Sequence, residues 1–124
     1  MAPEKILLID DEENILMLYE HELLDEGYQV LLANNAREGI EKLKRESIDL
    51  VILDIRMPAM DGLEALGKIL GLKKEIPIIL NTAYSNYKDD FMSWAADAYV
   101  VKSSDLTQLK TTIRDVLNKK KFGS

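Results

Sequence analysis

The chain contains five short apolar runs separated by segments of helical periodicity, and this alternation limits its fold more than any other feature. The runs are predicted to be strands from Lys5 to Ile9, Gln29 to Ala33, Asp49 to Leu53, Pro77 to Asn81 and Ala98 to Val101. Strands this apolar are typical of a parallel sheet that helices cover on both faces. Because parallel crossovers are right-handed, the sequence predicts a three-layer α/β sandwich of the (βα)5 type.

Capping and turn residues mark the ends of the predicted helices. Asn35 followed three residues later by Glu38 has the pattern of a helix start with a capping side chain and a reciprocal acid. Asp61 is expected to cap a later helix in the same way. Gly27 and Gly71 are expected just after helices, where a positive φ is often required.

Size and charge restrict the class of protein. At 124 residues and 14.1 kDa, we expect residues 1–124 to form a single domain. The net charge of −6 argues against direct binding of nucleic acid or an anionic membrane by this domain. The absence of cysteine excludes disulfides and thiolate metal sites. No export signal and no apolar run of spanning length is visible, so we expect a cytoplasmic location.

Polar residues follow four of the predicted strands. Asp10 and Asp11 come directly after the first strand, Asp54 after the third, Thr82 after the fourth and Lys102 after the fifth. In an open α/β sheet, functional residues gather at the carboxyl ends of the strands. Adjacent carboxylates that stay ionised there normally require a cation, and oxygen ligands suit Mg²⁺.

This set of residues favours phosphoryl chemistry. An aspartate such as Asp54 can be a nucleophile toward a phosphoryl group. Such a transfer depends more on neutralising the charge of the phosphoryl oxygens than on acid–base catalysis. Mg²⁺ and Lys102 would supply positive charge, and the Thr82 hydroxyl could donate a hydrogen bond. The sequence therefore indicates a metal-assisted site for an aspartyl phosphate.

Taken in order, these motifs resemble the receiver domain of two-component response regulators over essentially the whole chain. The matching segments are Ile9-Asp10-Asp11-Glu12, Asp54 to Gly62, Thr82-Ala83 and Tyr99-Val100-Val101-Lys102. The resemblance implies a flavodoxin-like fold with strand order 2-1-3-4-5. It also implies that a sensor histidine kinase or phosphotransfer protein donates the phosphoryl group. The modified domain would then switch a surface that binds a downstream effector, whose identity the resemblance does not give.

The resemblance also implies a role for each acidic residue. Asp54 would be the phosphoacceptor. Asp11 and Asp54 would ligate Mg²⁺ directly, together with the backbone carbonyl of Arg56. Asp10 would act on the ion largely through water.

Further roles are implied for residues outside the acidic set. Lys102 and Thr82 would bind the phosphoryl oxygens. Tyr99 would turn inward as Thr82 moves toward the phosphoryl group. A local change in charge would thereby shift the protein surface between two states. Ile15 and Leu18, near the acidic pair, would be candidates for kinase docking.

The chain departs from the family pattern near its predicted output surface. Ser103 replaces the usual proline after Lys102, so we expect a trans peptide there, because a cis bond before a non-proline residue costs about 2.5–4 kcal/mol. Ala95 stands where glycine is usual, and bulky Phe91 and Trp94 occupy a segment about two residues shorter than in the family pattern. We expect the phosphorylation chemistry to be intact and the output surface to be idiosyncratic.

Two large residues occupy positions that the family uses to tune the access of water to the acyl phosphate. They are Arg56 and Tyr84, each two residues after a proposed site residue. We therefore expect self-dephosphorylation to be slow.

Three other functions are weighed against a phosphoacceptor. A hydrolase of the haloacid dehalogenase kind would need a second aspartate two residues after the nucleophile, where Arg56 stands. A flavin or nucleotide binder would need uncharged donors in the first loop, which reads Asp10-Asp11-Glu12-Glu13. A receiver-like module that works by binding alone stays open because of Ser103.

Overall fold

A computed structural model describes residues 3–54, 62–73, 75–83 and 96–121 of the chain. The strands are β1 (Lys5–Ile9), β2 (Gln29–Ala33), β3 (Leu50–Leu53), β4 (Ile78–Thr82) and β5 (Ala98–Val101). The helices are α1 (Glu13–Asp25), α2 (Ala36–Arg45), α3 (Gly62–Leu72) and α4 (Thr107–Lys121). The strands form one parallel sheet in the order β2-β1-β3-β4-β5. This confirms the flavodoxin-like fold and the strand order that the resemblance implied.

The sheet is buried on both faces because its strands are apolar at successive positions. One face packs against α2 and α3, and the core on this side includes Leu7, Val51, Leu80, Leu43 and Ile69. The other face packs against α1 and α4, and its core includes Leu8, Ile52, Ile79, Leu23 and Ile113. The predicted three-layer sandwich is thus confirmed.

The number of helices differs from the (βα)5 prediction within the part of the chain that the structure describes. Four helices lie there, because residues 84–95, between β4 and β5, are outside the described residues. The predictions that involve Asp61, Phe91, Trp94 and Ala95 also fall outside the described residues. None of the described helices is long and apolar enough to cross a membrane.

The predicted helix ends are confirmed in two cases and wrong in one. The Asn35 side chain accepts a hydrogen bond from the backbone N–H of Glu38 at 2.8 Å, which makes Asn35 the cap of α2. Gly27 follows α1 with a φ of 95°. Gly71, in contrast, lies within α3 and has no positive φ. The helical hydrogen bonding continues past it, since the N–H of Lys73 donates to the carbonyl of Ile69 at 2.9 Å.

Helix α2 approaches the sheet closely at Gly39. A Cβ atom at this position would lie 2.7 Å from Cγ1 of Ile9 and closer still to its Cδ1. Ile9 is only 1% exposed, so its side chain has little space into which it could move. The absence of a side chain at Gly39 therefore sets the distance between α2 and β1, the strand that leads into Asp10.

We expect Gly39→Ala to lower the free energy of unfolding by about 1–2 kcal/mol, because overpacking outweighs the gain in helix propensity. Gly71→Ala is the matched control, since a Cβ there meets nothing within 4 Å. It should leave stability unchanged or slightly raised. Urea unfolding of both variants measures the difference. Equal stability of the two variants would contradict the assigned close contact.

Candidate functional site

The pairing of β1 with β3 places two acidic residues side by side. Ile9 is in register with Leu53, so Asp10 and Asp54 follow neighbouring strand ends. The backbone N–H of Asp54 donates to the carbonyl of Ile9 at 3.0 Å, which extends the pairing by one step. Asp10 is 5% exposed and Asp54 is 4% exposed. Two carboxylates are therefore buried at the carboxyl edge of the sheet.

The start of α1 adds two exposed carboxylates to this pair. Oxygen atoms of Asp10, Asp11, Glu12 and Asp54 all lie within 4.8 Å of one another. Oxygens on opposite sides of an octahedral Mg²⁺ lie about 4.2 Å apart, given its short metal–oxygen distances. The size and the all-oxygen chemistry of the cluster therefore fit Mg²⁺. We call these four residues the acidic cluster.

Lys102 brings a positive charge to the acidic cluster from the end of β5. Its Nζ lies 2.8 Å from an oxygen of Asp10 and 3.1 Å from an oxygen of Asp54. A third carboxylate, that of Glu12, lies 3.2 Å away. The Lys102 side chain is 11% exposed, so water screens these contacts only weakly. The ammonium group thus links strand ends that are far apart in the sequence.

The pKa values of Lys102 and Asp10 are both raised in this environment, for different reasons. Burial alone would lower the pKa of Lys102, but the hydrogen bond that it donates to Asp10 and the charge of Asp54 raise the pKa above its ordinary value. Burial also raises the pKa of Asp10, although hydrogen bonds from Lys102 and from the backbone of Glu12 act in the opposite direction. Lys102 is therefore firmly charged at neutral pH, and its charge offsets part of the cost of burying Asp10.

Thr82 lies beside these residues at the end of β4. It is fully buried, and its carbonyl accepts a hydrogen bond from the backbone N–H of Lys102 at 2.6 Å. Strand β4 lies between β3 and β5, so the end of β4 at Thr82 lies between the strand ends that precede Asp54 and Lys102. The predicted switch residue Tyr99 is half-buried in β5 and packs against the core on the α2 and α3 side.

Of the remaining predicted residues, two lie in α1 and two lie outside the described residues. Ile15 is half-buried and packs against the core on the α1 side, whereas Leu18 is 43% exposed. Leu18 is therefore the more exposed residue of this pair. Arg56, predicted as a metal ligand through its carbonyl, and Tyr84 lie outside the described residues.

The loop after Lys102 shows how the chain accommodates the replacement of proline by Ser103. The Lys102–Ser103 peptide is trans, as expected. The Ser103 hydroxyl oxygen accepts a hydrogen bond from the backbone N–H of Asp105 at 3.1 Å. The Asp105 carboxylate in turn accepts from the N–H of Thr107 at 2.9 Å. Hydrogen bonding with the Thr107 side chain, and then with this backbone N–H, lowers the pKa of Asp105. Side-chain hydrogen bonds therefore organise the entry into α4.

Sequence reasoning assigned no role to two features of this region. Glu12 contacts Lys102, and its place directly after two aspartates was the available signal. Tyr19 is buried, and its hydroxyl donates to the side chain of Asn81 at 2.8 Å. Nothing in the sequence pattern could have paired these two residues, because they are 62 positions apart.

Comparison with known proteins identifies the family to which the chain belongs. The family model described as "Response regulator receiver domain" matches residues 6–114. The chain is 40% identical over 123 residues to the probable transcriptional regulator ycf27 of Porphyridium aerugineum, covering 96% of this chain and 50% of that protein. The chain spans about half the length or less of the curated relatives it matches.

Two similar solved structures contain the same response regulator, TrrA of Thermotoga maritima. In the crystal structure of TrrA with Mg²⁺-BeF, the TM-score is 0.88 at 48% identity, covering 91% of this chain and 98% of that chain. In the complex of TrrA with the histidine kinase ThkA, the TM-score is 0.87 at 48% identity, covering 92% and 98%. With a family match that extends from β1 into α4, the chain belongs to the response regulator receiver domain family.

Proposed function

We propose that this chain is a phosphoacceptor receiver domain of two-component signal transduction, and that residues 1–124 form one such domain. Asp54 accepts a phosphoryl group in a Mg²⁺-dependent reaction, and the modified domain changes its protein-interaction surface. The observation that carries this proposal is the position of the Lys102 ammonium, within 3.1 Å of two buried carboxylates at neighbouring strand ends. The chain is a signalling phosphoacceptor that promotes its own phosphotransfer.

The proposed reaction is an attack by the Asp54 carboxylate on the phosphorus of a donor. With a phosphohistidine donor, a P–O bond to Asp54 forms, the P–N bond breaks, and the histidine nitrogen takes up the leaving electron pair. Asp11, Asp54 and the carbonyl of Arg56 would hold Mg²⁺, with Asp10 acting through water. When bound, the ion would neutralise charge on the phosphoryl oxygens.

Lys102 is proposed to bind a phosphoryl oxygen once Asp54 is modified. Its Nζ already contacts Asp54, so a short movement would transfer the ammonium from the carboxylate to the phosphoryl group. Thr82 is proposed to bind a second phosphoryl oxygen through its hydroxyl. Tyr99, from the strand next to Thr82, is proposed to change its packing in response.

The donor is proposed to be a sensor histidine kinase or a phosphotransfer protein. The similarity to TrrA, which has been crystallised with the kinase ThkA, supports this class of partner. We propose that Leu18, which is 43% exposed on α1, docks the kinase together with the half-buried Ile15. The downstream effector is a protein of unknown identity.

The acidic character of the chain supports the proposal that this domain does not bind nucleic acid or a membrane directly. Its net charge is −6, which disfavours direct contact between this domain and nucleic acid or an anionic membrane. We propose that it works in the cytoplasm. Relatives are named as transcriptional regulators, and any DNA contact in such a protein would come from residues other than this domain.

Asp54→Asn should abolish phosphorylation by acetyl phosphate in the presence of Mg²⁺. The wild type should gain the mass of one phosphoryl group in intact mass spectrometry, because Asp54 is the proposed nucleophile. Asp115→Asn is the matched control, since Asp115 is an exposed aspartate of α4, and it should still gain the group. The absence of a gain in the wild type would instead favour a receiver that works by binding alone.

Lys102→Met should strengthen Mg²⁺ binding by at least about threefold, because it removes a positive charge beside the acidic cluster. In EDTA the same variant should be less stable by about 2 kcal/mol or more, since two buried carboxylates lose their partner. Lys68→Met, which removes an exposed lysine of α3, is the control and should change neither quantity. Titration calorimetry and urea unfolding provide the two measurements. Unchanged Mg²⁺ affinity in Lys102→Met would count against the proposed metal site.

The phosphorylated domain should lose its phosphoryl group slowly after the donor is removed. The physical reason is that Arg56 and Tyr84 are bulky residues at positions proposed to control the approach of water to the acyl phosphate. The decay can be followed by intact mass spectrometry at intervals. Replacing both residues by alanine should accelerate it, and complete loss within seconds in the wild type would refute the proposal.

A further inference from the structure

Asn81 is a buried polar residue at the end of an otherwise apolar stretch of β4. It is 2% exposed and follows the apolar residues 78–80. A buried amide costs free energy unless it is hydrogen bonded. Both ends of this amide are used: Nδ2 donates to the carbonyl of Val100 at 3.0 Å, and Oδ1 accepts from the Tyr19 hydroxyl at 2.8 Å. Asn81 therefore joins α1, β4 and β5 through directional bonds.

This junction lies directly behind the residues proposed to bind the phosphoryl group. Asn81 immediately precedes Thr82, and Val100 lies two positions before Lys102. The backbone N–H of Lys102 donates to the carbonyl of Thr82 at 2.6 Å, so the two strand ends are joined again one step further on. A displacement of the Asn81 side chain would therefore act on both Thr82 and Lys102.

The Tyr19 side of the junction faces the acidic cluster. Tyr19 and Asn81 line a small pocket together with Asp10 and Asp54. Burial raises the pKa of the Tyr19 phenol, while the charge of Lys102 lowers it and that of Asp10 raises it. The net effect is a raised pKa, so the phenol stays protonated at neutral pH and donates its hydrogen bond to Asn81.

Other polar contacts of α1 lie towards its C-terminal end, away from the acidic cluster. Lys110 of α4 lies 2.6 Å from Glu22, and Arg114 lies 3.3 Å from Glu26. These pairs attach α1 to α4 near the surface and involve none of the residues of the acidic cluster. They provide a comparison in which α1 is loosened without a change at Asn81.

We propose that Asn81 and Tyr19 are positioning residues for phosphoryl transfer. Their hydrogen bond fixes the ends of β4 and β5 against α1, and so holds Thr82 and Lys102 at the acidic cluster. The inference rests on the proposed function, because it assigns a role in the same reaction. Helix α1 would then position residues of the site and also provide the proposed docking surface for the kinase.

The double variant Tyr19→Phe/Asn81→Leu separates positioning from stability. Replacing both partners of a buried hydrogen bond by apolar groups of similar shape can leave stability nearly unchanged. Because the carbonyl of Val100 also loses its donor, we expect a folded protein with a somewhat lower midpoint in urea unfolding. Phosphorylation by acetyl phosphate with Mg²⁺ should be at least about fivefold slower, because small displacements of positioning groups reduce rates strongly. The Mg²⁺ affinity should stay at the wild-type value, since the acidic cluster is unchanged.

Two further variants keep the test decisive. Tyr19→Phe alone removes only one hydroxyl, and it should also be slower than the wild type if the double variant fails to fold. Glu22→Gln weakens the contact with Lys110 and should react at the wild-type rate. A wild-type rate in the folded double variant, or in Tyr19→Phe when the double variant does not fold, would overturn the inference. So would a Glu22→Gln variant slowed to the same extent.

The outcomes for the wild type distinguish this inference from the proposed function. If the wild type gains no phosphoryl group, the proposed function fails and the inference fails with it. If the wild type is phosphorylated and the double variant reacts equally fast, the inference alone fails.

Discussion

The burial of two carboxylates beside one ammonium group is the constraint on which the site depends. Asp10 and Asp54 are both at most 5% exposed, and such a pair repels unless a cation lies between them. Lys102 provides that cation from the far end of the chain, at 2.8 and 3.1 Å. The same positive charge that stabilises the fold at this edge is therefore available to a phosphoryl group. A residue that serves stability and the proposed chemistry at once cannot be replaced without affecting both.

The parallel sheet brings these three residues together from segments that are far apart in the sequence. The order β2-β1-β3-β4-β5 places the ends of β1 and β3 next to each other, and β4 and β5 follow on the same side. The residues after these strands then converge, although the strands come from segments that are far apart in the sequence. Glu12 and the Asn81–Tyr19 bond connect α1 to the same edge. The acidic cluster and Lys102 lie directly beside the ends of strands and of α1, so these rigid elements determine where the side chains lie.

Much of this architecture could be predicted from the sequence, for a clear physical reason. Apolar runs and their periodicity are local signals, so three of the five strands were predicted with their observed bounds, and the other two within one residue at each end. The polar residues after four of those strands were predicted to meet, and Asp10, Asp11, Asp54 and Lys102 do so. The position of Gly71 was predicted wrongly, because the hydrogen bonding of α3 continues past it. The bond between Tyr19 and Asn81 could not be predicted, since it depends on the packing of α1 on β4.

The proposed function depends on which residue carries the phosphoryl group. The most direct measurement is peptide mapping by mass spectrometry after reaction with acetyl phosphate and Mg²⁺ and reduction of the acyl phosphate with borohydride. The proposed function predicts a single modified residue, Asp54, in the wild-type protein. Modification of another carboxylate, or of none, would contradict it.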